Sequence, residues 1–357
     1  MMETNSISKE FNFTSLIKFT VPSILMIIFI AMYSIVDGVF VSRFINTDAL
    51  SAFNIVYPFI NVVIGIGVML ASGGSAIIAR KIGEKNVEEA KQNFTFIIIS
   101  GLIIGIIIAI LGYIFSEKMI YMLGATEELY DYCQSYLYMA LIFVPMYIVN
   151  LLYQMLTITA GKPNIGLILT VVGGVTNIIL DYVFIEICGM GIAGAALATG
   201  LGNLIPVIMG TIYFMKTKDM LHFVKFKFDF KVLFDTCING SSEMVNNLAT
   251  GITTILFNII MIRLLGANGV AAMSIVLYGQ FLVTAIFIGF ASGVAPIISY
   301  NYGEGNRAQS KKIIKYSFIF IAISSVVCYV LSMVFVKGIV GVFSPEGTEV
   351  YKIGYNG

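Results

Sequence analysis

Nine apolar stretches, each of about twenty residues or more, follow one another along this 357-residue sequence with only short polar segments between them. At 1.5 Å per residue, a stretch of that length crosses the roughly 30 Å of hydrocarbon in a bilayer as an α-helix. Lipid offers no partner to a free backbone amide, so such a chain must form helices or a closed β-barrel. No strand-length alternation recurs here, which leaves helices. The expected spans are approximately 16–42, 50–79, 94–115, 134–159, 164–186, 192–215, 233–262, 270–300 and 313–336, with a tenth starting near Tyr351. Composition agrees: 58% of residues are hydrophobic and 11% charged, where soluble domains carry roughly 25% charge.

The sequence also repeats itself. Ile35 to Lys91 laid over Ile255 to Lys311 matches without a gap at about sixteen positions, among them Arg43 with Arg263, Ala71-Ser72-Gly73 with Ala291-Ser292-Gly293 and Gly83-Glu84 with Gly303-Glu304. Duplication of an apolar chain is how many membrane transporters arrange two bundles around one pathway. Six spans, an even number, precede the second copy, so the two copies enter the membrane in the same direction and are parallel repeats. The expected units are an N-lobe at 1–215, a linker at 216–231 and a C-lobe at 232–357. One unit runs about 220 residues from Phe13, so the second is expected to extend past Gly357 and the C-lobe to be incomplete.

Basic residues give the orientation. Of 21, about 16 fall on one side of the expected spans, and only Arg43, Lys118, Arg263, Lys337 and Lys352 on the other. The positive-inside bias then puts the N-terminus in the cytoplasm of a multi-pass protein. A net charge of +1 gives no field for nucleic acid, and the single His222 leaves little scope for a metal site. Cys133, Cys188, Cys237 and Cys328 are widely spaced and read as small packing residues. The linker reads Lys-Phe-Lys-Phe-Asp-Phe-Lys at 225–231, a surface segment with interfacial phenylalanines or a contact for anionic lipid.

Several stretches in order resemble the multidrug and toxic compound extrusion (MATE) family, in particular its MepA-like bacterial branch. They are PSILMIIFIAMYSIVDGVFVSRF at Pro22 to Phe44, AGKPN at Ala160 to Asn164, NIILDYVFI at Asn177 to Ile185 and GMGIAGAALAT at Gly189 to Thr199. The resemblance covers about three quarters of the family's twelve helices. It implies a two-lobe helical bundle of parallel six-helix repeats, located in the cell membrane, that exports amphiphilic, often cationic compounds in exchange for H⁺ or Na⁺. A flippase for lipid-linked saccharides, from the wider MOP superfamily, shares that architecture; its anionic headgroup would call for basic residues inside the spans, and few are present. A fragment that transports nothing is the third reading. No Ser-His or clustered metal-ligand pattern favours an enzyme.

A charge near the bilayer centre costs at least about 2.5 to 3.5 kcal/mol on insertion scales, so an acid inside a span needs a reason. Asp37 lies six residues before Arg43, and Asp181 five before Glu186, which puts both at one depth on different helices. Tyr33 and Asn177 each sit four residues before one of these acids, on the same helix face. The pair reads either as a static polar clamp or as a coupling-ion site that titrates as a unit. The resemblance favours the second. It implies acids on the first and fifth spans at Asp37 and Asp181, with Asn177 beside them, and cavity residues at Tyr33, Tyr136, Gln154 and Thr199. At Gln154 the family more often carries asparagine. Glu243, near the start of the seventh span, is a third acid and a candidate cavity residue, although Ser241 or Ser242 capping a helix start would also explain it. Pro22, Pro58, Pro145, Pro206 and Pro296 permit bends, and a bending first span would move Asp37. The expected partners are drug-like cations and membrane lipids, with no nucleic acid and no cofactor beyond the coupling ion, in a monomer.

Overall fold

The computed structural model describes residues 6–45, 47–343 and 348–356. Among these residues ten α-helices follow in order: α1 (Phe13–Phe44), α2 (Thr47–Gly83), α3 (Val87–Ile114), α4 (Ser116–Met122), α5 (Glu127–Thr159), α6 (Pro163–Asp181), α7 (Gly191–Lys216), α8 (Phe230–Gly303), α9 (Arg307–Phe343) and α10 (Glu349–Asn356). Among the described residues nine segments are long and apolar enough to cross a membrane, and each overlaps one expected from the sequence. Two of them, Phe230–Met261 and Ile275–Gly303, belong to α8, whose helical geometry breaks at Gly266 with φ 62°. That φ lies in the left-handed region, where a glycine carries no Cβ penalty. The protein is a multi-pass, all-helical membrane protein.

Local chemistry sets the helix ends. Asn12 caps α1 by accepting from the Ser15 amide at 2.8 Å, while the Ser15 hydroxyl accepts from the Asn12 amide at 2.9 Å. Pro163 opens α6 in the first turn, where the missing N–H is not needed. Pro22, Pro58, Pro145, Pro206 and Pro296 all lie inside helices. One of them marks a close crossing, since a Cβ on Gly105 of α3 would lie 2.5 Å from Cα of Pro145 on α5.

The repeat is visible at the end of the bundle that carries Arg80, Lys81, Lys85 and Arg307, here called the basic end. A Cβ on Gly83 of α2 would sit 2.0 Å from the Tyr300 carbonyl oxygen of α8, and a Cβ on Gly303 would sit 2.1 Å from the Arg80 carbonyl oxygen. The 220-residue offset turns Gly83 into Gly303 and Arg80 into Tyr300. This contact therefore maps onto itself, as a two-fold axis along the membrane normal requires, and an inverted repeat would not produce it. A second pair follows the same operation: Gly73 of α2 meets Thr236 and Gly240 of α8, and Gly293 of α8 meets Thr20 of α1.

The helices separate away from the basic end. Along the α2–α8 crossing, a Cβ on Gly240 would meet the Met69 carbonyl at 1.9 Å, one on Gly65 the Met244 side chain at 3.3 Å, and one on Gly251 only Asn61 at 3.7 Å. A Cβ on Gly279 would meet nothing within 4 Å. Among the described residues the two halves touch at the basic end and separate toward the other.

Candidate functional site

The acid pair forms where α1 crosses α6. Gly174 of α6 makes the crossing possible: a Cβ there would lie 2.5 Å from the Phe29 ring and 2.8 Å from the Tyr33 ring. Tyr33 is one turn before Asp37 on α1, and Gly174 two turns before Asp181 on α6, so seating one ring against the glycine brings the carboxyls together. Asp37 and Asp181 are within side-chain reach of each other, with Tyr33 and Tyr136 around them. Asp181 is fully buried. Both its oxygens, and Oδ1 of Asp37, accept no hydrogen bond by geometry among the described residues, although Asn177 is a polar neighbour of Asp181. A fully buried and a half-buried carboxyl side by side with open lone pairs can take up protons or a cation.

Asp181 also ends the regular helix. The next six residues, Tyr182–Ile187, wind as a π-helix, with the Cys188 amide reaching back to the Val183 carbonyl at 2.8 Å. Such widened turns occur disproportionately at functional positions, because they re-aim a side chain within an otherwise straight helix.

A ladder of amides leads from the pair toward α5. Asn177 Nδ2 donates to Thr199 Oγ1 at 3.4 Å, Asn203 Nδ2 to the Thr199 carbonyl at 2.8 Å, and Asn150 Nδ2 to Asn203 Oδ1 at 2.9 Å. The α6–α7 crossing that allows this is again glycine against glycine, since a Cβ on Gly173 would lie 2.6 Å from the Gly202 carbonyl. Asn177, Asn203 and Asn150 are all buried. Oδ1 of Asn177 and of Asn150 take no donor among the described residues, which leaves acceptor capacity along the ladder.

The structure thus gathers Asp37, Asp181, Asn177, Tyr33, Tyr136 and Thr199. It does not bring Gln154 to them. Gln154 is buried, but its backbone carbonyl lies 3.3 Å from where a Cβ of Gly166 would be. Gly166 is fifteen residues before Asp181 on α6, about 22 Å along the axis. Asn150, one turn earlier on α5, occupies the ladder instead. Glu243 lies apart as well, and the capping explanation for it does not hold. The N-cap of α8 is Asp229, fourteen residues or about 21 Å before Glu243. Ser241 Oγ donates to the Ile238 carbonyl inside the helix. Glu243 is exposed within a polar row of Asp235, Asn239, Glu243, Asn246, Thr250 and Thr254, at spacings of three or four residues. The side chain of Arg43 lies outside the described residues.

Sequence reasoning passed over Asn150, Asn203, the α8 row apart from Glu243, and Tyr57 and Tyr147. The last two lie within electrostatic range of Tyr136. Their signal was present: uncharged polar residues inside apolar spans, at helical spacing, also need partners in lipid.

A two-fold bundle of membrane-crossing helices, holding an acid pair between two helices of its first half, defines a class of solute-handling membrane protein. The MatE family model matches residues 22–183 and 244–355, and the chain belongs to that family. It is 26% identical over 348 residues to the multidrug export protein MepA of Staphylococcus saprophyticus, covering 95% of this chain and 75% of the relative. It is 27% identical over 338 residues to the MepA of Staphylococcus haemolyticus, covering 94% and 74%. A solved structure described as the outward-facing conformation of a multidrug resistance MATE transporter of the MOP superfamily superposes with a TM-score of 0.92 at 22% identity, over 99% of this chain and 80% of the other.

Proposed function

We propose that this protein is a secondary active multidrug efflux antiporter of the cell membrane that exports amphiphilic cations in exchange for H⁺, with its N-terminus and basic end in the cytoplasm. The N-lobe (1–215), linker (216–231) and C-lobe (232–357) are its working units. The observation that carries the reading is the Asp37–Asp181 pair, fully buried at Asp181 and half-buried at Asp37, whose carboxyl oxygens have no cationic partner among the described residues. Kinship to multidrug export proteins supports the transport class.

The chemistry follows from competition. A proton and an organic cation both neutralise the pair, so occupancy by one weakens the other. With the opening toward the exterior, the pair takes a proton and releases its cation. With the opening toward the cytoplasm, it gives up the proton and becomes a cation site again. Only this difference in affinity between the two states lets a proton gradient drive export. Tyr33 and Tyr136 beside the acids supply aromatic faces for an organic cation. The amide ladder through Asn177, Thr199, Asn203 and Asn150 holds α5, α6 and α7 in register behind them. Na⁺ could occupy the same carboxyls, and its competition with dye would identify it as the coupling ion.

Ethidium efflux from cells expressing the protein tests this. Wild type should lower dye retention relative to an empty vector, Asp37→Asn should abolish the effect, and Asp181→Asn should weaken it severely. Glu243→Gln, away from the pair, should change it less. Efflux that persists in the Asp37→Asn, Asp181→Asn double variant under a pH gradient would remove the proposed site.

A further inference from the structure

The linker after α7 does not loop freely; it is fastened to α3. The Val224 amide donates to Thr95 Oγ1 at 3.1 Å, and Phe223 packs on Phe94 with ring centroids 5.5 Å apart. Phe226 and Phe228 pack on Phe96 at 5.9 and 5.3 Å. Between linker and helix lies an open groove of about 550 Å³ lined by Thr95, Ile99, Phe223, Val224, Lys225 and Phe226. Lys225 is among its lining residues, and along α3 beyond Ile99 the exposed Ile103, Ile106 and Ile110 continue the row at three- and four-residue steps.

Charge around the groove is unbalanced. Asp219 is engaged elsewhere, accepting from Tyr213 at 2.9 Å and lying 3.6 Å from Lys162, whereas Asp229, whose side chain accepts from the Lys231 amide at 2.9 Å, keeps its charge and offsets one of the three linker lysines at 225, 227 and 231. At the start of α3, Glu88 pairs with Lys91 and Glu89 with Lys81, each at 2.9 Å. Lys225, Lys227 and Lys231 are exposed and have no carboxylate within 4.0 Å among the described residues. Phe228 and Phe230 between them are 73% and 68% exposed, as side chains set into a bilayer interface would be.

We propose that this groove binds an anionic phospholipid, with its phosphate on Lys225 and Lys227 and an acyl chain along Ile99, Ile103, Ile106 and Ile110. Two ligand features are required at once. The lysines select a negative headgroup, and the isoleucine row, which lies in the hydrocarbon region of the third span, selects a chain attached to it. A soluble phosphate satisfies only the first, and a zwitterionic lipid only the second in full. The site is independent of the acid pair, and its test needs no transport.

The test uses the purified full chain in an uncharged detergent, titrated with phosphatidylglycerol, phosphatidylcholine or glycerol phosphate, with bound lipid counted by native mass spectrometry and Tm recorded at each step. Wild type should retain phosphatidylglycerol in preference to phosphatidylcholine and gain thermal stability from it, while glycerol phosphate at the same concentration does neither. Lys225→Gln, Lys227→Gln should weaken phosphatidylglycerol binding by about 30-fold and leave phosphatidylcholine binding alone. Lys225→Arg, Lys227→Arg should restore it, which separates loss of charge from loss of fold. Equal phosphatidylglycerol binding by wild type and the glutamine variant would overturn the proposal, as would full competition by glycerol phosphate.

Discussion

Adding a single methyl group at Gly83 should disengage the basic end. A Cβ there would be built 2.0 Å from the Tyr300 carbonyl oxygen, about 1.4 Å short of the 3.4 Å at which ordinary contact begins, and 2.9 Å from the Glu304 amide nitrogen. Both neighbours are backbone, so no side chain can swing aside and α2 must part from α8. Overpacking of this kind costs about 1 to 3 kcal/mol. Charged only to the arrangement closed at the basic end, that cost lowers its population relative to an open one by roughly 5- to 150-fold. Gly303→Ala should act alike, because its Cβ would lie 2.1 Å from the Arg80 carbonyl. Gly279→Ala, with nothing within 4 Å, is the control. Spin labels at Glu88→Cys and Ala308→Cys, a repeat-related pair of exposed positions, report the separation once the four native cysteines are removed. Gly83→Ala should add a longer-distance population that Gly279→Ala lacks. An unchanged distance distribution in both Gly83→Ala and Gly303→Ala would refute the reasoning.

Other expectations concern the site and its support. Asn203→Leu leaves the Asn150 amide buried without its acceptor and should lower stability by about 1 to 3 kcal/mol, read as a fall in Tm; Asn150→Leu, Asn203→Leu together should cost less than the sum of the singles. Gly174→Ala drives a methyl to 2.5 Å from the Phe29 ring and 2.8 Å from Tyr33, and should weaken binding of an organic cation by roughly tenfold or more, measured by direct titration. In the linker, burial acts to raise the Asp219 carboxyl, but the Tyr213 hydroxyl, Thr217 and Lys162 together outweigh it and hold it below the usual carboxylate range. A carboxyl with a lower pKa folded than unfolded stabilises fully above its unfolded value, about 3.9, and loses that contribution as pH falls through the folded one. Asp219→Asn should therefore lower Tm at neutral pH, and its difference from wild type should shrink below about pH 4.

The spans and the repeat were readable in the sequence because lipid permits so few alternatives: an apolar run must be a helix, and its length is set by the bilayer. Parallel copies followed from counting spans, and the Gly83–Gly303 contact bears that out. The acid pair was readable for a related reason, since a charge in lipid has to be justified and helical rise gives its depth. What the sequence concealed was lateral geometry. Gln154 and Asn150 are one turn apart on α5, and nothing in the spacing says which one reaches Asn203 on α7. Glu243 looked like a residue near a helix start because the polar segment around it resembles a loop. The structure instead carries α8 straight through Asn239–Asn247, exposing the polar row on one side while Gly240 and Met244 pack on α2. The π-helix after Asp181 has no sequence signature comparable to a proline or a glycine.

The exchange of protons for a cation at the Asp37–Asp181 pair is tested most directly by counting protons as a cation binds. Calorimetric titration of tetraphenylphosphonium into the purified protein, repeated in buffers of different ionisation enthalpy near neutral pH, gives the number released per cation bound. The wild type should release protons, and the Asp37→Asn, Asp181→Asn double variant should bind the cation weakly and release none. Equal release from both proteins would place the exchanged proton elsewhere and contradict the account. Binding in wild type that releases no proton but is displaced by Na⁺ would contradict the choice of H⁺.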